Sequence, residues 1–333
     1  MILKGKRVLV TGGAGFIGSH LVDALMREDC NVLSIDNLNN GKIDNLNQCK
    51  GNKNHKFVLG SVIESSDVAK AMDGVDIVFH LACLGVRHSI KFPFENHYIN
   101  AQGTLLALEE ARKAKVDKFI YCSSSEAYGT ALYVPMPESH PTYPHTVYGA
   151  SKLAGEAYAR AYYKTYGLKT VVIRPFNTYG PRSHHEQEAG EMIPKSIIRV
   201  LNNMPILIFG NGSQTRDYTY VEDIAKGLIM AAKCDEATGL TLNMGSGFEI
   251  SIKKIAEMIS GMSGVCPPKI KYLKNRPGDV LRLYADSSAL NRLTRWKPEV
   301  AFEDGLLKTI AWFRSRPEPI STLFAQEKAI NWE

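Results

Sequence analysis

Short apolar runs alternate with helical stretches through the first half of the chain. The runs are rich in β-branched residues, as in strands that are buried on both faces of a parallel sheet. The predicted strands span residues 7–11, 31–36, 56–59, 77–81, 118–123 and 169–174. The predicted helices, with Leu, Ala and Tyr at helical spacing, span residues 17–28, 98–113 and 148–166. This order predicts an α/β fold with a doubly wound parallel sheet.

The pattern changes after Arg174, where the chain is interrupted at Pro175, Pro181, Pro194 and Pro205. Further predicted elements are helices over 220–233, 251–262 and 303–314 and a strand over 240–244. We predict two units from this change. A Rossmann domain comprises residues 1–176 and 219–246, and a smaller C-terminal substrate-binding lobe comprises residues 177–218 and 247–333.

The composition is that of a globular protein. The 333 residues are 44% hydrophobic and 22% charged, and the net charge of +6 is spread along the chain without a basic block. No apolar run reaches the length of a membrane span, and the amino terminus has no apolar signal core. Six scattered cysteines without a Cys-x-x-Cys pair argue against a zinc site or disulfides. We expect a cytoplasmic protein with reduced thiols and no metal, nucleic-acid or membrane partner.

A glycine-rich turn follows the first predicted strand and opens the first predicted helix. Gly12, Gly15 and Gly18 would let the backbone turn tightly and approach a pyrophosphate at the helix amino terminus. Asp36 ends the second strand, where a carboxylate binds the ribose hydroxyls and repels a 2′-phosphate. The turn therefore predicts a dinucleotide site that favours NAD over NADP.

Tyr148 and Lys152 are four residues apart in a predicted helix, so both side chains can point into one cleft. A nearby cation favours the phenolate and lowers the pKa of the phenol. That effect matters because an ordinary tyrosine, with a pKa of about 10, is a poor base at neutral pH. Together with the glycine turn, the pair predicts an oxidoreductase mechanism.

The two motifs, with His80-Leu81-Ala82 and Asn100-x-x-Gly103-Thr104, resemble the extended short-chain dehydrogenase/reductase family of nucleotide-sugar epimerases and dehydratases. The resemblance continues through residues 174–181, 214–223 and 276–279 and so covers nearly the whole chain. One departure is Gly60-Ser61, where the family usually has Gly-Asp with the Asp near the adenine. The implied NAD-binding residues are Gly12, Gly15, Phe16, Ile17, Gly18, Asp36, Asn37, Leu81, Ala82, Asn100, Ser123, Tyr148 and Lys152.

The same resemblance implies the chemistry. Ser124 would hydrogen-bond the sugar oxygen, Tyr148 would act as the base and Lys152 would hold the phenolate and the cofactor ribose. Glu126 would abstract the C5 proton of a 4-keto sugar, which favours a 4,6-dehydratase. Such dehydratases often have Asp where this chain has Ser125, and serine is a poor proton donor. A 4-epimerase, a decarboxylase and 5,6-ene formation therefore stay open.

Arginines are implied for the nucleotide diphosphate, because a guanidinium binds phosphate in a bidentate manner. The resemblance assigns Arg216 and Arg282 to the diphosphate or nucleotide ribose, Asn177 to the phosphate or sugar, and Arg87 to the hexose. The His-Glu-rich stretch at residues 183–191 could suggest a metal site, but adjacent histidines do not face one way on a helix or strand and no third ligand is evident. We therefore predict that this stretch is a mobile lid loop. We predict a nucleotide-diphosphate sugar as substrate.

Each candidate also has an ordinary structural explanation. The glycine turn could only pack helix on sheet, Ser124 could cap a strand end, Glu126 could be a surface carboxylate, and the arginines could be solvated or salt-bridged. A non-catalytic NAD-binding module and a dehydrogenase that releases NADH are the competing functions.

By resemblance, helices 98–113 and 148–166 would form a four-helix interface in a homodimer.

Overall fold

The computed structural model describes residues 1–333, and its elements are numbered in chain order. The strands are β1 (Arg7–Thr11), β2 (Asn31–Asp36), β3 (His55–Leu59), β4 (Ile77–His80), β5 (Lys118–Cys122), β6 (Thr170–Pro175), β7 (Asn177–Tyr179), β8 (Ile206–Phe209), β9 (Thr215–Tyr220), β10 (Thr241–Met244), β11 (Glu249–Ser251), β12 (Ile270–Leu273) and β13 (Arg282–Leu283). The helices are α1 (Phe16–Arg27), α2 (Ser65–Met72), α3 (Val86–Lys91), α4 (Pro93–His97), α5 (Gly103–Lys113), α6 (Val147–Tyr166), α7 (Met192–Leu201), α8 (Val221–Lys233), α9 (Ile252–Met262), α10 (Ser288–Thr294), α11 (Phe302–Arg314) and α12 (Ile320–Ala325).

Seven parallel strands form the central sheet in the order β10-β6-β5-β4-β1-β2-β3. In this sheet Val8 of β1 is paired with Val32 of β2 on one side and with Ile77 of β4 on the other. The strand order therefore reverses at β1, and ligands of such sheets bind at the carboxyl ends of the strands beside this point. The sheet confirms the predicted doubly wound α/β fold.

Hydrophobic cores cover both faces of the sheet. Val8 of β1 points to the face covered by α1 and α8, where Leu21 and Leu228 are buried. The next residue, Leu9, points to the opposite face, which is covered by α2, α5 and α6 and includes Leu108. Burial on both faces explains why the strand sequences are nearly all apolar.

A separate core lies beside the sheet and is built mainly from α7, β8, β9, α9 and α11, with Ile197, Ile255 and Phe313 fully buried. Leu290 and Trp296 belong to the sheet-side core, because α10 packs against α8 and β10. The domain bounds stay a prediction, and this packing of α10 lies inside the range 247–333 that we assigned to the smaller lobe.

One predicted helix differs from the observed structure. The prediction began at residue 98, whereas helical structure begins at Pro93 and reaches Lys113 through a π-helical turn at Tyr98–Gln102. Proline is favoured at the first position of a helix because that position needs no N–H donor, so Pro93 is a start signal that the apolar spacing did not reveal. No helix is long and apolar enough to cross a membrane.

Candidate active site

A cavity of about 330 Å³ lies at the carboxyl ends of the sheet strands, and we call it the cofactor cavity. It is lined by every residue predicted to bind the dinucleotide except Asn100. Asn100 is 1% exposed, accepts a hydrogen bond from Leu84 N at 2.8 Å and donates to Leu84 O at 2.9 Å. It therefore contacts the cavity only through the loop after β4.

The glycine turn leaves room for a phosphate at the start of α1. Gly12 has φ +71°, and a Cβ there would lie 2.8 Å from the backbone nitrogen of Ala82. A Cβ on Gly18 would overlap the carbonyl oxygen of Gly12. The N-cap residue Gly15 has no side chain to satisfy the first N–H groups, and the first turn contains no acidic residue. These free donors fit the pyrophosphate of a dinucleotide.

Asp36 lies at the end of β2 and lines the same cavity. Its carboxylate accepts hydrogen bonds from Ala14 N at 3.0 Å and Leu38 N at 2.8 Å. Burial raises its pKa, and these backbone donors lower it part of the way. A carboxylate has further acceptor sites, so Asp36 fits a ribose diol as well. At the departure noted in the sequence, Ser61 lines the cavity and its backbone N–H donates to Asp67 at 3.0 Å.

Tyr148 and Lys152 project from the first turns of α6 into the cofactor cavity, which Ser124 also lines. The hydroxyl of Thr146 caps α6 by accepting from Gly149 N at 3.2 Å. The ammonium of Lys152 donates to the carbonyl of Cys122 at 2.8 Å and lies 6.0 Å from the Tyr148 ring centre. The end of β5 thus holds the lysine beside the phenol.

The pKa of Tyr148 differs from the simple expectation. Burial raises the pKa of the phenol, and Cys83 adds to this increase. Lys152 and a hydrogen bond with Ser124 lower the pKa, but they do not offset the burial. Burial therefore outweighs the effect of Lys152 on the pKa of the phenol, and a further positive charge in the cavity would lower that pKa.

Ser125 and Glu126 lie in a short 3-10 turn, Ser125–Ala127, that directly follows β5. The Ser124 hydroxyl caps this turn by accepting from Glu126 N at 3.2 Å, so the predicted strand-end cap exists beside the predicted catalytic contact. Ser125 is 3% exposed and Glu126 is 9% exposed. Glu126 is therefore not a solvated surface carboxylate, and it lines two adjoining cavities.

The second cavity has a volume of about 140 Å³, and we call it the substrate cavity. Its wall shares Arg87, Glu126 and Asn177 with the cofactor cavity, so the two meet at these side chains. The basic residues that line it are Arg87, Lys195, Arg199, Arg216 and Arg276. Only Glu126 and Asp279 line it as acids. This excess of positive charge suits a diphosphate.

The two arginines assigned to the diphosphate lie in different places. Arg216 on β9 lines the substrate cavity and donates to Asp279 at 2.7 Å, and Arg276 pairs with the same carboxylate. Arg282 lies outside both cavities, and its guanidinium forms an ion pair with Glu249. The structure thus brings Arg216 to the other candidates but not Arg282.

Burial, and then neighbouring cations, lower two pKa values in this region. Burial and then Arg87 lower the pKa of Lys195 to about 8. Burial and then Arg276 lower the pKa of Arg87 to about 10, and the Arg87 guanidinium has no ion-pair partner within the protein. An anion in the cavity would relieve this repulsion.

Comparison with known proteins identifies the family. The family model described as GDP-mannose 4,6 dehydratase matches residues 9–309. The chain belongs to the extended short-chain dehydrogenase/reductase family. UDP-glucose 4-epimerase from Mycolicibacterium smegmatis is 34% identical over 94% of this chain and 100% of its own length. The dTDP-D-glucose 4,6-dehydratase of Homo sapiens is 33% identical over 93% of this chain and 90% of its own length.

The crystal structure of the dTDP-glucose 4,6-dehydratase DesIV from Streptomyces venezuelae, which contains NAD, has the same fold. It is 30% identical, with a TM-score of 0.88 over 93% of this chain and 97% of DesIV. Short-chain dehydrogenase/reductase relatives named as an epimerase and as dehydratases thus match this chain almost equally well. The similarity identifies the family and leaves the reaction undecided.

In this short-chain dehydrogenase/reductase, several residues that line the cavities were not predicted from the sequence. Arg276 entered the prediction only as part of the motif at residues 276–279, and Lys195 and Arg199 lie on α7, which the apolar pattern did not predict. Glu191 lines the cofactor cavity beside Arg87, and burial raises its pKa to about 7. A proline-interrupted apolar run from Met192 was the available signal for α7.

The His-Glu-rich stretch lies over the cofactor cavity, which His184 and Glu188 line. Glu186 pairs with Lys42, and Glu188 pairs with Lys91 at 3.0 Å. The structure contains no group of three or more His, Cys, Asp or Glu side chains that could hold a metal ion. The stretch thus forms part of the cavity wall, and its role as a mobile lid stays a prediction.

Proposed function

We propose that the protein is an NAD-dependent nucleotide-sugar 4,6-dehydratase. The observation that carries this proposal is the position of Glu126, a buried carboxylate at the junction of the cofactor and substrate cavities. That it is an enzyme with NAD as its cofactor follows from the family and from the fit of the glycine turn and Asp36 to a dinucleotide. The sugar would lie between Glu126 and Tyr148.

The chain's residues divide the work as follows. NAD, when bound, supplies the hydride acceptor for C4 and a positive charge that favours the Tyr148 phenolate. Tyr148 takes the proton of the C4 hydroxyl, while Ser124 hydrogen-bonds the same oxygen and Lys152 stabilises the phenolate. Glu126 then removes the C5 proton, which the C4 carbonyl makes acidic, and the C6 hydroxyl leaves as water. The hydride taken from C4 would return to C6 while a proton returns to C5, so that the cofactor is regenerated and the product is a 4-keto-6-deoxy sugar.

The departing hydroxyl needs a proton, and Ser125 is a weak source. The cofactor cavity, which Ser125 lines, is also lined by Glu191, whose pKa of about 7 leaves it partly protonated at neutral pH. This carboxyl is an available acid for the step. The absence of an acid at position 125 supports the second candidate, a nucleotide-sugar 4-epimerase, in which C4 is oxidised and reduced on opposite faces.

A product-mass and isotope experiment separates these functions. Purified protein is incubated in D₂O with UDP-, dTDP-, GDP- and CDP-hexoses, and Glu126→Gln is compared with the unchanged chain. The dehydratase loses one water and incorporates deuterium at C5, whereas Glu126→Gln still oxidises C4 but no longer exchanges the C5 proton. An unchanged mass with a new C4 isomer would establish the epimerase instead, and loss of carbon dioxide would establish a decarboxylase.

We also propose that the protein is a homodimer in the cytoplasm, with α5 and α6 of each subunit forming a four-helix interface. Exposed aromatic side chains on this side of the molecule support the interface. Phe94 is 89% exposed, Tyr98 is 53% exposed and Tyr166 is 56% exposed. Light scattering after size-exclusion chromatography should give twice the mass of the chain, and Tyr98→Glu with Tyr166→Glu should reduce it to that of one chain.

A further inference from the structure

The substrate cavity has a wall that no sequence motif announced. Asn331 and Trp332, which follow α12, line this cavity beside Phe209 of β8. Trp332 is 8% exposed and Asn331 is fully buried. The ring centres of Trp332 and Phe209 are 4.6 Å apart, with their planes at 69°. The two aromatic side chains therefore form one packed unit in the cavity wall.

The segment Gln326–Trp332, which we call the strap, is fastened at many points. Asn331 donates to the carbonyls of Gln187 and Gly190, both at 2.9 Å. The ammonium of Lys195 donates to the carbonyl of Lys328 at 2.6 Å, and Glu327 pairs with Lys195 and Arg199. The strap is thus bound both to the loop over the cofactor cavity and to the basic helix α7. These contacts give Trp332 a fixed position.

The residues shared by the two cavities indicate which part of the substrate cavity lies beside the reacting sugar. Arg87, Glu126 and Asn177 line both cavities and so mark the end beside the reacting sugar. Phe209 and Trp332 line only the substrate cavity. A nucleotide sugar has its sugar at one end, its negative charge in the middle and an aromatic base at the other end. The wall of the substrate cavity contains polar groups shared with the cofactor cavity, basic side chains and two aromatic side chains, which are chemically suited to these three parts.

We infer that Trp332 is a binding residue for the nucleobase. The indole would contact the base from the strap, where it packs against the ring of Phe209. The inference rests on the proposed function, because it takes a nucleoside diphosphate as the ligand. Stacking of a base on an aromatic side chain contributes about 1–3 kcal/mol, so loss of the indole should weaken binding roughly 5- to 150-fold. The amide oxygen of Asn331 is buried without a hydrogen-bond donor, so a base N–H is a chemically suitable partner for it.

The test uses calorimetry on the full chain with three probes, UDP, dTDP and inorganic pyrophosphate. Trp332→Ala should weaken UDP or dTDP binding at least fivefold and leave pyrophosphate binding unchanged, because pyrophosphate has no base. Trp332→Phe should keep most of the affinity and lose the quenching of tryptophan fluorescence that UDP or dTDP causes. Trp312→Ala is the matched control, since Trp312 packs against Phe313 outside both cavities.

The outcomes are distinguishable. Equal weakening of pyrophosphate and of both nucleotides by Trp332→Ala would mean that Trp332 only holds the strap in place, and the inference would fail. Unchanged nucleotide affinity in Trp332→Ala would also overturn it, while the proposed function would stand. If the unchanged chain retains NAD but binds no nucleoside diphosphate, GDP and CDP included, the proposed function fails together with the inference.

Discussion

The cofactor cavity and the substrate cavity are lined by different kinds of groups. The cofactor cavity includes turns at the carboxyl ends of adjacent strands, with Gly12 and Asp36 at fixed positions of the sheet. The substrate cavity is lined by long charged side chains from α3, α7, β9 and the loop before β13. The fold therefore determines where the dinucleotide fits, whereas individual side chains would determine which of the proposed nucleotide-sugar substrates fits. This difference explains how relatives with one fold are named for different reactions.

The largest predicted effect concerns the base that acts where the two cavities meet. Tyr148→Phe removes the only hydroxyl of the side chain that we propose takes the C4 proton. Turnover should fall about 10²- to 10⁴-fold, the usual contribution of general base catalysis. NAD content, measured after denaturation, should not change because the ring still lines the cavity. A Phe variant with normal turnover would refute the assignment of the base.

The second prediction concerns stability, which should fall strongly when a buried ion pair next to the cofactor cavity is broken. Glu156 forms an ion pair with Arg174, and their side chains are only 1% and 6% exposed. Glu156 also accepts from Ser123 at 2.5 Å. Glu156→Ala leaves a buried guanidinium without its partner and should lower the free energy of unfolding by about 3–5 kcal/mol in urea titrations.

The matched control for this prediction is Glu299→Ala, which removes an ion pair with Lys226 of α8, where the two side chains are 56% and 47% exposed. Solvent screens that pair, so the free energy of unfolding should hardly change. Equal effects of Glu299→Ala and Glu156→Ala would mean that the buried pair contributes no more to stability than an exposed one.

A third prediction separates two arginines that the sequence treated alike. Arg216→Ala removes a guanidinium from the substrate cavity and should weaken UDP or dTDP binding about 10- to 100-fold, the range for a charged hydrogen bond. Arg282→Ala should change the affinity less than twofold, because Arg282 lies outside the cavity and pairs with Glu249. Calorimetry on both variants checks this, and the reverse order would show that the diphosphate lies on the β13 side.

The smallest expected effect is a pH dependence in the substrate cavity. The pKa of Lys195 is about 8 in the free protein, and a bound anion would raise it. Binding then takes up a proton near pH 8, so pyrophosphate affinity is full below this pH and falls as the pH rises through it. The decrease should be about tenfold if binding raises the pKa by about one unit. Lys195→Arg should remove the part of the dependence that is due to this lysine and leave only that of the ionisation of pyrophosphate itself, and identical profiles in the two proteins would contradict the prediction.

The sequence predicted which residues line the cofactor cavity, Asn100 excepted, because its signals are local. Gly12, Gly18 and Asp36 occur at set distances around one strand-helix-strand unit, and Tyr148 and Lys152 belong to one helix. Their positions in space follow from the sheet order and the helical repeat. The raised pKa of Tyr148 did not follow, because it depends on burial by residues from other elements.

The substrate side was harder to predict because its residues are far apart in the chain. Arg216 meets Asp279 across 63 positions, and Trp332 reaches Phe209 only through the strap. An arginine in a motif does not show whether its partner will be a ligand or a carboxylate, as Arg282 and Glu249 demonstrate. The apolar spacing also did not predict α7, which carries Lys195 and Arg199. The composition gives only the total charge of the chain, so it could not show that these two cations line a cavity.

The interleaving of the two cores limits how such a protein can be recombined. The chain leaves the sheet-side core after β6, returns to it with α8, departs again with α9 and comes back with α10 before α11 and α12 complete the other core. A chimera made at one crossover point would therefore combine mismatched halves of a core. New sugar specificity in this scaffold is more readily obtained by exchanging single side chains than by shuffling contiguous modules.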